Sequence, residues 1–447
     1  MVNLSGYRGD SLKLLGEYRV SIGDPIIIET DKAIYEGILM PRYEFADDQH
    51  IVIKLKNGYN IGINIKRIKN IIKKSEKEEL IPIIQLPPIS LDKNLPKVSI
   101  ISTGGTIASR IDYRTGGVHP ALSASDLYTA IPEISKYAQI DTEILFNLYS
   151  ENIEVSHWKA MAIKIAEKIK EGFQGVIITH GTDTMGYTSA ALSFALINLP
   201  IPVAIVGSQR SSDRPSSDAA LNLIGGVIVA AKAPFSGVYV VMHSSMNDDI
   251  LAVHLGTRVR KNHTSRRDAF ESIDISPAAY IKNGNIEKVL DNLPIRREDY
   301  NYQPRANFDN RVALLKFYPN FDPSIIEYLI DRGYKGIVLE GTGLGHVSNA
   351  CYPALRKAID KGLLVMMTSQ CIWGRVRMTV YETGRDLLKI GVIPLEGMLP
   401  EVALVKAMWV LANTNNQEDA KRLMLMNLVG EYVSRSPLER RPKDGVF

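Results

Sequence analysis

The chain has 447 residues, 45% hydrophobic and 23% charged, with a formal net charge of +4. That is the composition of a folded soluble protein too long for one ordinary core, so two or three domains are expected. No apolar run reaches the roughly 18 residues of a membrane span, Cys351 and Cys371 lack the CxxC or nearby histidine pair of a metal site, and so mild a charge neither requires nor forbids nucleic acid.

The opening stretch MVNLSGYRGDSLK has no signal-peptide core, and two cysteines fit a reducing compartment, so a cytoplasmic protein is expected. Residues 1–85 hold short β-branched segments, DPIIIET, AIYEGILMPR, HIVIKLKNG and NIGINIKRIKNI, broken by Gly, Asp and Asn turns. Strands this short and closely spaced predict a small β-barrel. Its second half carries Lys54, Lys56, Lys66, Arg67, Lys69, Lys73 and Lys74 with no acid between them in sequence. A solvated strand face and an RNA- or partner-facing patch both fit that pattern. Residues 86–96, within QLPPISLDKNLPK, read as an extended linker.

From Lys97 strands alternate with helices, which predicts βαβ units and a mainly parallel sheet covered on both faces. The expected strands are VSIIST, QIDTEILFNL, GVIITHG, PVAIVGS and GVYVVM. The expected helices are Ser156–Glu171 with Ser156 as N-cap, Gly186–Asn198 and Ser217–Ala231. This unit spans 97–300 and ends in the polar, irregular stretch LDNLPIRREDYNYQPRANF. A second α/β unit, 308–433, contains VALLKFY, GIVLEGTG and LLVMMTS, then helices near Pro400–Asn413 and Glu418–Leu428. A basic, Pro-containing tail covers 434–447.

Two strand-end loops carry candidate chemistry. In VSIISTGGTIAS, Val98–Ser109, a buried strand delivers Thr103 and Thr106 onto a glycine turn. Gly104 and Gly105 let backbone N–H groups approach an oxyanion, and Thr106 is a candidate nucleophile once a base or field activates it. Alternatively Thr106 caps a helix after a tight turn. In GVIITHGTDT, Gly175–Thr184, Thr182 and Asp183 sit at a strand end where open α/β sheets bind ligands. They suit proton transfer and the holding of a substrate ammonium group, or else form an N-cap pair. Lys261 in TRVRKNHTS is the cation that would orient Thr182 or stabilise a developing alkoxide, unless it is an ordinary solvated lysine. Ser150 and Glu151 in LYSENIE are candidates to bind the α-carboxylate and α-ammonium of an amino acid, or to cap a helix. GTGLGH, Gly341–His346, misplaces its third glycine for dinucleotide binding, and no Walker A loop is present. His180 reads as a packing residue of its loop.

Together, TGGTIAS and HGTDTM closely resemble the bacterial-type L-asparaginase/glutaminase family, over roughly Lys97 to Leu428. The resemblance implies an α/β, asparaginase-like two-domain parallel-sheet core behind the small N-terminal β-barrel. It makes Thr106 the nucleophile, with Thr182, Asp183 and Lys261 as the second catalytic group. It makes Ser150 and Glu151 the amino-acid-binding pair, although the family commonly has glutamine where Glu151 stands. Tyr113 in IDYRTGG matches the lid tyrosine. Either Thr106 or Thr182 takes the first step. The barrel, its YEGILMPR segment and GSQRSSDRPSSDAALNL, Gly207–Leu223, look like the D-subunit family of archaeal glutamyl-tRNA(Gln) amidotransferases. That implies ammonia release from glutamine for an E-type partner subunit that phosphorylates Glu-tRNA(Gln). It also implies a homodimer core within a heterotetramer, ATP and Mg on the partner, and no metal or cofactor in this chain. The rival readings are a free-standing L-asparaginase and an RNA- or partner-binding module on a hydrolase scaffold.

Overall fold

In the computed structural model, residues 4, 6–42, 45–55, 59–74, 94–104, 109–111, 118–120, 127, 131–211 and 216–435 are described, with the backbone alone at 109–111 and 118–120. The N-terminal module opens with the helix Gly9–Glu17. Five strands follow: β1 Pro25–Thr30, β2 Ile34–Leu39, β3 His50–Leu55, β4 Asn60–Asn64 and β5 Ile68–Lys73. They form one antiparallel sheet in the order β4-β3-β2-β1-β5, with a 3₁₀ turn Ile65–Arg67 linking β4 to β5. The strand period of two points Ile26, Ile28, Ile51 and Ile53 inward, where they pack with Leu15 of the helix.

The basic stripe of this module is not bare. Lys54 is buried, Arg67 pairs with Asp31 at 2.9 Å, Lys73 with Asp24 at 2.6 Å and Lys74 with Glu36 at 2.6 Å. The acids come from neighbouring strands and turns, which a linear reading of the segment does not see. Lys66 and Lys69 remain exposed, and Lys56 and residues 75–93, with most of the expected linker, lie outside the described residues.

The next unit is built on β6 Lys97–Ser102, β9 Gln139–Ile144, β10 Gly175–Thr179, β11 Pro202–Val206 and β12 Gly237–His243, with a short ribbon of β7 Ser109–Ile111 and β8 Val118–Pro120 between β6 and β9. The sheet order is β17-β16-β13-β12-β11-β10-β6-β9, where β13 is Ile250–Leu255, β16 is Ala279–Lys282 and β17 is Asn285–Lys288. The five strands from β12 to β9 run parallel, and the other three extend them antiparallel. Every residue of β10 and β11 is buried because helices cover both faces. Val176 and Ile178 face the helices Val155–Lys170 and Met185–Ala195, while Ile177 faces the helix Ala219–Lys232. A separate hairpin, β14 Val259–Lys261 with β15 Phe270–Ser272, leaves the sheet.

The helix starts differ from expectation for local reasons. The N-cap of Val155–Lys170 is Glu154, not Ser156, and its backbone N–H donates to Nδ1 of His157 at 2.9 Å. The helix expected from Ser217 starts instead at Ala219, because the side chains of Ser217 and Asp218 bond back to residues 209–210.

No regular element lies between β17 and β18. The second parallel sheet then runs β18 Val312–Lys316, β19 Gly336–Gly341, β20 Leu364–Ser369 and β21 Ile393–Pro394 in that order. Its helices are Ser324–Asp331, Tyr352–Asp360, Glu382–Ile390, Pro400–Asn413 and Gln417–Leu425, the first three of which were not expected. Helix Pro400–Asn413 packs against helix Met185–Ala195, with Trp409 stacked on Phe194 at 6.1 Å, so both sheets share one core. The buried Arg258 guanidinium donates to the carbonyls of Gly397 at 2.7 Å and Glu431 at 3.2 Å. Among the described residues no helix is long and apolar enough to cross a membrane.

Candidate active site

The C-terminal ends of the parallel strands line one rim, and the candidate residues lie along it. After β6, the Thr103 hydroxyl donates to the Thr179 carbonyl at 2.8 Å, and the residue is 1% exposed. That hydroxyl is spent on holding β6 against β10. Gly104 follows with φ +114°, and a Cβ there would sit 2.2 Å from the Leu148 carbonyl oxygen, so only glycine fits. Gly105, Thr106 and Tyr113 lie outside the described residues.

After β10 the chain turns through His180–Thr184 into the helix starting at Met185. The N-cap position belongs to Thr184, whose hydroxyl donates to the Ser150 carbonyl at 2.6 Å. Thr182 and Asp183 are thus released from capping and turn to a cation. Lys261 Nζ, the last residue of β14, donates to Thr182 Oγ1 at 2.8 Å and to Asp183 Oδ1 at 2.7 Å. The lysine side chain is 14% exposed and that of Asp183 is 70% exposed. The three therefore form one cluster with an enclosed cation and a carboxylate open to incoming ligand.

His180 stabilises this turn from behind. Its Nδ1 lies 2.6 Å from the Gly181 carbonyl, and its Nε2 lies 2.9 Å from the Thr188 hydroxyl, which also accepts from Trp158 Nε1 at 3.1 Å. A carbonyl only accepts, so the proton is assigned to Nδ1 and Nε2 takes the Thr188 hydroxyl proton. Burial holds the ring neutral, its pKa pushed down to about 4.

Ser150 is buried on the 3₁₀ turn Ser150–Asn152, and Glu151 beside it is exposed. A Cβ on Gly181 would lie 2.8 Å from Ser150 Cβ, so this glycine lets the Ser150 turn press against the loop of Thr182. A third glycine, Gly207 after β11, plays the same part from the other side, where a Cβ would meet Met185 Cε at 2.6 Å, the His180 carbonyl oxygen at 2.7 Å and Thr182 Cγ2 at 3.0 Å. Among the described residues no group of three His, Cys, Asp or Glu side chains converges to hold a metal ion.

Sequence reasoning missed a buried polar assembly beside this rim: Asp218, Asn222 and His243 are all fully buried, and Asn222 is hydrogen-bonded to each of the other two. The available signal was Asn222 within the apolar helix AALNLIGGVIVAAK, because a buried amide in such a helix must find partners.

Three family models match the chain. Residues 97–293 match the family model "Asparaginase, N-terminal", 311–424 match "Glutaminase/Asparaginase C-terminal domain", and 20–73 match "GatD N-terminal domain". The fold is similar to the thermostable L-asparaginase from Thermococcus kodakarensis, with a TM-score of 0.67 and 34% identity over 76% of this chain and 99% of that one. A probable cytoplasmic L-asparaginase from Campylobacter jejuni gives a TM-score of 0.63 at 29% identity, over 74% of this chain and all of that one. In sequence, the chain is 48% identical to the D-subunit of glutamyl-tRNA(Gln) amidotransferase from Metallosphaera sedula, over 98% of this chain and 99% of that protein. It is 49% identical to the corresponding D-subunit from Pyrococcus furiosus, over 94% of this chain and 97% of that protein. With an asparaginase-type core, an added N-terminal module and near-full-length identity of this order, the chain belongs to the D-subunit family of glutamyl-tRNA(Gln) amidotransferases.

Proposed function

We propose that the chain is the glutamine-hydrolysing subunit of a tRNA-dependent amidotransferase. It releases ammonia from glutamine, and a partner subunit uses that ammonia to convert Glu-tRNA(Gln) into Gln-tRNA(Gln) with ATP. The observation that carries the amide chemistry is Lys261 Nζ held between Thr182 Oγ1 and Asp183 Oδ1 on the sheet rim.

In this reading Thr106 Oγ attacks the side-chain amide carbon of glutamine, and the N–H groups of the Gly104–Thr106 loop hold the developing oxyanion. The Thr106 proton passes by way of Thr182, kept in place by Lys261, to the amide nitrogen. The C–N bond breaks and ammonia leaves, and water then cleaves the ester to give glutamate and free Thr106. Asp183 anchors the α-ammonium group through its exposed carboxylate, with Ser150 and Glu151 at the amino-acid end and Tyr113 as the lid. The chain itself uses no metal or cofactor. ATP and Mg belong to an E-type partner subunit, and the assembly is a homodimer core within a cytoplasmic heterotetramer.

The test is ammonia release by the full chain from glutamine and from asparagine, with and without the E-type partner and Glu-tRNA(Gln). Release from glutamine that rises when both are added supports the reading. Release from asparagine by the chain alone, indifferent to partner and tRNA, would make it a free-standing asparaginase.

A further inference from the structure

The loop after β11, the turn after β12 and the hairpin that carries Lys261 are joined by polar side chains that the amide chemistry leaves unused. The connection begins at Gly207, which lies against Thr182. The Gly207 carbonyl accepts from Asn222 Nδ2 at 2.9 Å, and Asn222 Nδ2 also donates to Asp218 Oδ2 at 3.0 Å. The Asp218 carboxylate in turn accepts the backbone N–H groups of Gln209 at 3.0 Å and Arg210 at 2.9 Å, which fixes this loop. Both targets of Asn222 Nδ2 are acceptors, so the amide has one orientation, with Oδ1 facing His243 Nδ1 at 2.7 Å. His243 Nε2 lies 3.2 Å from Asp248 Oδ1, and Arg267 Nη1 donates to that same oxygen.

Arg267 closes the circuit. It stands in the turn between Lys261 and Phe270, is 9% exposed, and donates from Nη2 to the Ser216 carbonyl at 2.8 Å and from Nε at 3.2 Å. Ser216 sits at φ +56°, a left-handed conformation that a non-glycine residue adopts only when its surroundings hold it there. A hairpin of three residues per strand does not hold itself in place. The neighbouring Arg266 offers no such tether, because it pairs with Asp268 inside the same exposed turn.

We propose that Arg267 is a positioning residue for the hydrolytic site: by bridging Asp248 and the Ser216 carbonyl it locks the Lys261 hairpin to the loop on which Thr182 rests, and so sets the Lys261–Thr182 contact. The proposal rests on the reading of Thr182 and Lys261 as catalytic. Small displacements of a reacting group cost up to about 100-fold in rate.

The experiment measures kcat and KM for glutamine in the full chain assembled with its E-type partner and Glu-tRNA(Gln), with folded fraction and Tm recorded for each variant. Arg267→Ala is expected to lower kcat by ~10–100-fold per folded molecule with KM changed less than about twofold, and added guanidinium ion to restore part of the loss. Arg267→Lys keeps the charge but replaces the planar fork of several N–H donors by a single nitrogen on a shorter reach, and should fall between Ala and wild type. Arg266→Ala should match wild type. If Arg267→Ala and Arg267→Lys keep wild-type kcat per folded molecule while Lys261→Ala is inactive, the positioning role is overturned. If Lys261→Ala is itself active, the catalytic reading beneath it fails instead.

Discussion

After β10 the chain reads HGTDT; after β19 it reads TGLGH and after β20 QCIWG. All three are turns at the C-terminal ends of parallel strands, yet they differ in where their polar groups go. In the second sheet those groups are taken up by backbone carbonyls of the same rim. Thr342 Oγ1 donates to the His346 carbonyl at 3.2 Å, Ser369 Oγ to the Gly343 carbonyl at 2.7 Å, and Gln370 Nε2 to the Glu340 carbonyl at 2.9 Å. In the first sheet Thr182 and Asp183 meet a lysine that is 79 positions from Thr182 in sequence. A glycine–threonine turn thus supplies only a place. In the proposed mechanism the cation is brought in from another element, the β14–β15 hairpin.

The largest expected effect separates the two rims by activity. Lys261→Ala should cost ~10²–10⁴ in glutamine hydrolysis with the melting temperature nearly unchanged. A variant with full activity would erase the distinction. Stability is expected to show the reverse assignment, because the second unit supplies the fully buried Lys406–Glu431 pair at 2.6 Å. Lys406 also donates to the Met424 carbonyl at 3.0 Å. Lys406→Met strands the buried Glu431 carboxylate and should cost about 3–5 kcal/mol in a urea titration. An unchanged midpoint would show that the pair stabilises nothing.

Acid should act through the first unit. Burial pushes the pKa of His180 down to about 4 and that of His254 to about 3, both below the imidazole value of 6.5. A depressed folded pKa means that this stability is complete above pH 6.5 and is lost as the pH falls toward 4. The loss from His180 alone is roughly 3 kcal/mol. Denaturant midpoints at pH 7 and pH 4.5 check the sign, and a midpoint that rises with acid would contradict it. The smallest effect belongs to the second rim: Thr342→Ala should leave ammonia release unaltered and cost less than about 1 kcal/mol. A clear loss of activity would place chemistry on both rims.

The parallel architecture was legible because buried strands such as GVIIT and PVAIV are continuous apolar runs between helical segments. The antiparallel extension β13–β16–β17 was not read, because β16 and β17 are only four residues each, although the Asn283–Gly284 turn between them is a hairpin signal in the sequence. Helices Ser324–Asp331, Tyr352–Asp360 and Glu382–Ile390 are only eight or nine residues long, too short for a firm periodic signal. At the site, Thr182, Asp183 and Lys261 were each named from the sequence, but the local pattern left capping and solvation open as alternatives. Spatial convergence separates those alternatives, and no window of sequence contains it. The Asp218–Asn222–His243 assembly offered only the buried amide of Asn222 as a signal, and Arg267 offered none, because His243, Ser216 and Asp248 come from other elements.

The central claim is that the reacting hydroxyl belongs to the lysine-bearing rim. An electrophilic diazoketone analogue of glutamine, followed by peptide mapping of the intact chain, tests it most directly. The account predicts one covalent label per chain, on Thr106 or Thr182, that fails to form in Lys261→Ala. A label on Thr342, Ser369 or Cys371, or one indifferent to the loss of Lys261, would contradict it.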